Sequence, residues 1–161
     1  MPKPSAPLSL FLPTEEDTDR LAQWLADRLG PGDAVLLSGP IGAGKSHLAR
    51  AYIRARLDRF EDVPSPTFTL VQTYQADDVE IWHADLYRLS HPDEVLELGL
   101  DEAFEKAICL IEWPDRLGPL APEHAISIGL SSRGEGRLAQ IACPAHPELE
   151  AALRRDWGLN A

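Results

Sequence analysis

The sequence predicts a three-layer α/β domain with a mostly parallel central sheet and antiparallel additions. Three observations predict it. A short apolar run, Ala34-Val35-Leu36-Leu37, leads into a glycine-rich loop and then into a stretch with helical spacing. A second run, Ile108-Cys109-Leu110-Ile111, is continuously apolar, as a strand covered on both faces must be. Strand and helix patterns alternate early in the chain, and alternating segments with turn signals between them come later. With 161 residues, 44% of them hydrophobic, the chain suits one domain over residues 1–161 with a proper core.

Taken in order, Leu8-Ser9-Leu10-Phe11-Leu12 reads as the first strand. Thr14 stands where a helix N-cap belongs, with Glu15, Glu16 and Asp17 in the first turn, where the dipole favours acids. Leu21, Trp24, Leu25 and Leu29 continue the apolar stripe, and Gly30-Pro31-Gly32 ends the helix. After the glycine loop, residues 46–57 carry Leu48, Ala51, Tyr52 and Ala55 at helical spacing, with no Gly or Pro. Arg50 and Arg54 sit four apart there, with Arg56 and Arg59 nearby. The plain reading is a solvated face, and the alternative is a contact for RNA or an acidic partner.

Val63-Pro64-Ser65-Pro66-Thr67-Phe68-Thr69 cannot be helix, because its prolines remove donors and restrict their neighbours. It reads as a stiff exposed loop. Residues 69–74 and 79–87 form a hairpin around Gln75-Ala76-Asp77-Asp78. Short helical segments at 93–98 and 101–106 flank Gly99. Beyond the 108–111 strand, 125–130 and 137–143 are strands around a polar 131–136 turn, and 147–157 is a terminal amphipathic helix.

Composition narrows the function. A net charge of -11 argues against broad electrostatic binding of bare nucleic acid. Cys109 and Cys143 lie far apart and make no C-x-x-C or zinc pattern, which fits two lone thiols in a reducing cytoplasm. The N-terminus carries Pro2, Pro4 and Pro7 and no long apolar run, so no signal peptide is expected. No stretch approaches the ~20 apolar residues of a membrane span.

The chemistry centres on Gly39-Pro40-Ile41-Gly42-Ala43-Gly44-Lys45-Ser46, which matches G-x-x-x-x-G-K-[ST], the phosphate-binding loop of nucleotide-binding proteins. A triphosphate needs several backbone N–H groups converging on its oxygens. Gly42 and Gly44 let the backbone turn and approach without a Cβ in the way. The helix that follows aims its free N–H groups and its positive end at the phosphates. Lys45 reaches the β- and γ-phosphates, and the Ser46 hydroxyl ligates Mg²⁺.

In such sheets, ligands bind beyond the carboxyl ends of the strands. Glu112 directly follows four apolar residues, where a metal-side carboxylate belongs, and Asp85 closes the hairpin's return strand. Thr67, on the stiff loop, offers a hydroxyl to Mg²⁺ or the γ-phosphate, or bonds its own backbone. His83 precedes Asp85 by two and shares its face. It either orients the acid or a water, or is a satisfied structural histidine. Tyr87 lies on that face as well. Arg88 is open between phosphate and a surface acid, and Trp113 between packing and base stacking.

The chain resembles the TsaE (YjeE) family of bacterial P-loop ATPases. The likeness rests on Gly42-Ala43-Gly44-Lys45-Ser46, on Ser65-Pro66-Thr67-Phe68-Thr69-Leu70-Val71, on His83-Ala84-Asp85-Leu86-Tyr87-Arg88-Leu89 and on Ile108-Cys109-Leu110-Ile111-Glu112-Trp113-Pro114, with Leu98-Gly99-Leu100-Asp101-Glu102 between them. The resemblance implies the P-loop NTPase fold and a role in forming N6-threonylcarbamoyladenosine at position 37 of tRNA. It implies ATP and Mg²⁺ as cofactors and slow hydrolysis. It also implies action with TsaD and TsaB, after TsaC supplies the threonylcarbamoyl-adenylate, with tRNA met through the complex.

By that resemblance Gly39, Ile41, Gly42, Ala43, Gly44 and Lys45 hold phosphates, and Ser46 and Glu112 serve Mg²⁺. Asp85, Glu112 and Thr67 make the catalytic surroundings. The base lies near Glu15 and Thr18 and the 133–136 turn. The family usually has Thr where this chain has Ser46, and often an acid where it has Pro40. Two other readings stay open: a small-molecule kinase, and an adaptor whose nucleotide state controls assembly. No Asn-Lys-x-Asp or Thr-Lys-x-Asp follows the loop, so ATP is expected over GTP.

Overall fold

Leu8, Leu10 and Leu12 point inward while their neighbours are exposed, and this alternation builds β1 (Leu8–Leu12) as a half-covered strand. The computed structural model describes residues 7–57, 63–64, 66, 70–76 and 78–157. The first helix, α1 (Glu15–Ala26), starts on a full capping box. The Thr14 side chain accepts from the Asp17 backbone N–H, and the Asp17 carboxylate accepts from the Thr14 backbone N–H. The helix ends at Ala26, with Asp27 as C-cap. It therefore stops short of the glycines at 30 and 32, although Leu29 still packs into the core.

β2 (Ala34–Ser38), the glycine loop and α2 (Lys45–Leu57) follow in the expected order. β3 (Val71–Gln75) and β4 (Glu80–Asp85) pair antiparallel as the expected hairpin. Then come α3 (Glu94–Leu98), α4 (Leu100–Lys106), β5 (Ile108–Glu112) and 3-10 turns over Pro114–Leu120. β6 (Ile126–Arg133), β7 (Gly136–Ala142) and α5 (Pro147–Asp156) complete the described chain. The strands lie in the order β1-β7-β6-β2-β5-β4-β3. β6, β2, β5 and β4 are mutually parallel, and β3, β7 and β1 join antiparallel.

Two cores lie on opposite faces of this sheet. On one face α1, α2 and α5 pack on Val35, Leu37, Ile108, Leu110 and Ile128. On the other, α3 and α4 pack on Ala34, Cys109 and Ile111. The strict alternation of β5 between the two clusters explains why its sequence is apolar from Ile108 to Ile111. These are the three layers the sequence predicts.

Two expectations are corrected. The polar stretch at 131–136 is not all turn. β6 and β7 stay paired out to Arg133 and Gly136, and Gly134 at φ 60° helps close a two-residue hairpin. Ser131 to Glu135 are exposed, so the strand ends there read as loop in the sequence. The basic face of α2 is also divided. Arg56 turns to α1, donating to the carbonyls of Ala26 (3.1 Å) and Leu29 (3.4 Å), and pairs with Asp78 at 3.2 Å. It satisfies carbonyls at the end of a helix that has no basic residue in its own last turn. Arg50 instead lines the main cleft, and Arg59 lies outside the described residues.

Both cysteines are free and buried. Burial pushes the Cys109 thiol up to about 12 and the Cys143 thiol to about 11, with the nearby Glu80 and Glu150 charges adding respectively. Because the thiolate is the reactive form, neither is expected to react with a disulfide reagent at neutral pH in the native protein. Both should react once denaturant is added. A thiol titrated rapidly in native buffer would show that the segment carrying it is not covered as described.

Candidate functional site

The site is assembled where β2, β4 and β5 end. Parallel pairing puts Leu37 and Asp85 on either side of Glu112, in register with it. The glycine loop leaves the sheet one residue after β2, so its backbone and both acids meet at the same edge. Gly39 is required by a close approach. Its φ is 135°, and a Cβ there would stand 2.2 Å from the Leu130 carbonyl oxygen of β6. The loop is thus seated against the neighbouring strand. Gly42 and Gly44 also take positive φ, 84° and 102°, as the sequence requires.

Lys45 opens α2 and is 5% exposed. Its ammonium donates to the carbonyl oxygens of Gly39 and, at 3.3 Å, of Pro40. It also lies 3.8 Å from the centre of the Trp113 ring. Burial pulls its pKa below the ordinary lysine value, and the charges of Glu112, Asp85 and Asp115 oppose that shift. The Trp113 ring leans on Tyr87, with centroids 5.0 Å apart. Trp113 adopts the left-handed conformation at φ 60°, turning the chain sharply as it leaves β5. Its position over Lys45 marks it as part of the loop's surroundings.

Ser46 Oγ donates to Glu112 Oε1 at 2.8 Å. Glu112 Oε2 meets His83 Nε2 at 2.7 Å. Glu112 is 2% exposed and His83 fully buried. Asp85 Oδ1 accepts from the Tyr87 backbone N–H at 3.0 Å. Asp85 is 6% exposed and does not face open water. β3 covers that side of β4 and takes the edge itself.

Lys45, Ser46, Asp85, Tyr87, Glu112 and Trp113 line a cleft of about 440 Å³ that also includes Ile41, Arg50 and Arg88. A smaller cavity of about 120 Å³ lies beyond Gly44 and His47 and is lined by Glu15, Thr18 and Glu135 among others. The sequence-predicted residues therefore form two adjoining groups. Lys45, Ser46, Asp85 and Glu112 share the cleft, while Glu15 and Thr18 share the smaller cavity with the β6–β7 turn. Thr67 lies outside the described residues.

One site residue was not foreseen. Arg137, at the start of β7, donates to the Gly42 carbonyl at 3.2 Å and packs over Gly44. It touches the loop from the strand that pairs with β1 and lines the smaller cavity. No local pattern marks it, because it reaches the loop only through the pairing order of the sheet.

Among the described residues, no cluster of three or more His, Cys, Asp or Glu side chains holds a metal alone. The donor set here is a hydroxyl and carboxylates. That set fits Mg²⁺, which prefers oxygen and takes its remaining ligands from water and substrate phosphates.

A strand, glycine loop and helix at the carboxyl edge of a parallel sheet, with an acid on the adjacent strand, define a P-loop NTPase fold. The solved structure described as "Crystal structure of Bacillus subtilus YdiB" matches it with a TM-score of 0.78 and 25% identity, covering 97% of this chain and 99% of that one. A family model described as "Threonylcarbamoyl adenosine biosynthesis protein TsaE" matches residues 12–139, and the chain belongs to the TsaE family. It is 41% identical over 128 residues to the Rickettsia felis tRNA threonylcarbamoyladenosine biosynthesis protein TsaE, covering 80% of this chain and 75% of that one. To the Bacillus subtilis protein of the same name it is 33% identical, over 74% of this chain and 75% of that one. No helix among the described residues is long and apolar enough to cross a membrane.

Proposed function

We propose that the protein binds ATP with Mg²⁺ at the glycine loop and hydrolyses it slowly, in support of N6-threonylcarbamoyladenosine formation at tRNA position 37. The observation that carries the reading is the 2.8 Å bond from Ser46 Oγ to Glu112 Oε1 at the mouth of the loop, beside the buried Lys45 ammonium. Family membership supplies the pathway, and TsaD and TsaB are the partners this reading assigns. A cytoplasmic site of action goes with it.

In this reading Lys45 exchanges its two carbonyl contacts for β- and γ-phosphate oxygens, and the loop amides hold the remaining oxygens. Ser46 and Glu112 hold Mg²⁺. When bound there, Mg²⁺ would supply positive charge against the negative charge that builds on the phosphates as the bond breaks. Asp85, next to Glu112, is positioned to orient the attacking water, and Thr67 is assigned to the same surroundings. Glu15 and Thr18 line the space for the base. Their cavity adjoins the loop at Gly44, so a base can sit there while its phosphates lie along the loop.

The test is turnover of ATP and GTP by the full chain, alone and with a TsaB–TsaD pair, beside calorimetric titration of both nucleotides. ATP should bind more tightly than GTP, and the partners should raise ATP turnover. Equal or tighter GTP binding would remove the adenine assignment. Unchanged turnover in the presence of the partners would remove the assigned complex.

A further inference from the structure

We propose that His83 is a positioning residue that presets Glu112 for the metal, an inference that rests on the Mg²⁺-nucleotide reading above. Its ring Nε2 lies 2.7 Å from Glu112 Oε2, while the other oxygen, Oε1, accepts from Ser46 Oγ at 2.8 Å. Each carboxylate oxygen thus has one partner, on opposite sides. The strand register creates the contact. β4 and β5 run parallel with Asp85 opposite Glu112, and His83 stands two residues earlier on the same face of β4.

His83 is fully buried, and its other ring nitrogen, Nδ1, has no partner among the described residues. A packing role would be met better by an apolar ring, which leaves no buried nitrogen unpaired. What an imidazole adds at this position is the Nε2–H. A carboxylate acceptor places a ring hydrogen on Nε2.

His83 fixes Glu112 Oε2 and leaves Oε1 at the serine. Partners outside the first ring of ligands act on metal affinity in this way, by fixing the ligand's direction.

The experiment titrates ADP into the full chain by calorimetry, with Mg²⁺ and with a chelator in its place. It compares wild type with His83→Phe, His83→Leu, His83→Asn and His83→Gln, each checked for folding by circular dichroism. Two apolar variants are used so that a poor fit of one side chain does not remove the test. With chelator, all folded variants should bind ADP as wild type does. With Mg²⁺, the apolar variants should lose about tenfold or more of the metal's contribution to affinity. His83→Gln, whose amide N–H reaches the Nε2 position, should regain most of it. His83→Asn, whose shorter amide stops near Nδ1, should not.

Folded apolar variants that keep the full Mg²⁺ effect overturn the proposal, as does a Gln variant that loses as much as Phe. A wild-type protein whose ADP affinity ignores Mg²⁺ would instead sink the underlying Mg²⁺-nucleotide reading.

Discussion

Lys45→Ala is expected to lower ATP turnover by about a hundredfold or more, the usual consequence of removing a group aimed at transition-state charge. Triphosphate affinity should fall by about tenfold or more, since a hydrogen bond to a charged group contributes roughly 1.5–3 kcal/mol. The structure gives the reason for expecting a large effect. Lys45 is 5% exposed and held against the loop by two carbonyls and the Trp113 ring, so its ammonium is already in place when phosphate arrives. Little ordering remains to be done, and burial has already removed much of the competing water. The measurement is single-turnover hydrolysis beside ATP titration. A folded Lys45→Ala protein that hydrolyses ATP at the wild-type rate overturns the site.

Glu112→Gln and Asp85→Asn should separate hydrolysis from binding. The loop backbone holds the phosphates, and backbone amides survive side-chain substitution. Asp85→Asn should therefore keep nucleotide affinity, or gain slightly as repulsion of the γ-phosphate falls, and Glu112→Gln should keep it when Mg²⁺ is chelated, while turnover drops by about a hundredfold in each. The structure argues for amide rather than alanine substitutions. Glu112 is 2% exposed and bonded to both Ser46 and His83. Alanine at 112 would strip both groups of their partner, at about 1–3 kcal/mol for each one left unsatisfied. The amide substitutions keep shape and some hydrogen bonding, so a loss of turnover can be read as chemistry. Intact turnover in a folded variant takes that carboxylate out of the mechanism, and complete loss of nucleotide binding makes it a binding residue.

Much of this site is local in the chain. A strand, a turn that needs positive φ and a helix start are each written in neighbouring residues, so residues 34–57 declare the loop without help from elsewhere. The same holds for the Thr14–Asp17 cap. The apolar run 108–111 declares a central strand because no other environment covers both faces. Glu112 was legible as the first polar residue after such a run.

Contacts that depend on which strands are neighbours were not legible. His83 and Glu112 are 29 residues apart and meet only because β4 lies beside β5 in one register. Shifting that register by one would turn His83 to the opposite face. Arg137 reaches the Gly42 carbonyl, 95 residues away, because β7 is held next to β6 at the sheet's far side. Arg56 looked like part of a solvated face until the end of α1 was found beside it. The sequence by itself determined the class of fold, the phosphate loop and the identities of the site's acids. Only the tertiary structure decided which groups hold those acids in place, because local patterning fixes a residue's face and periodicity but not its neighbour across the sheet.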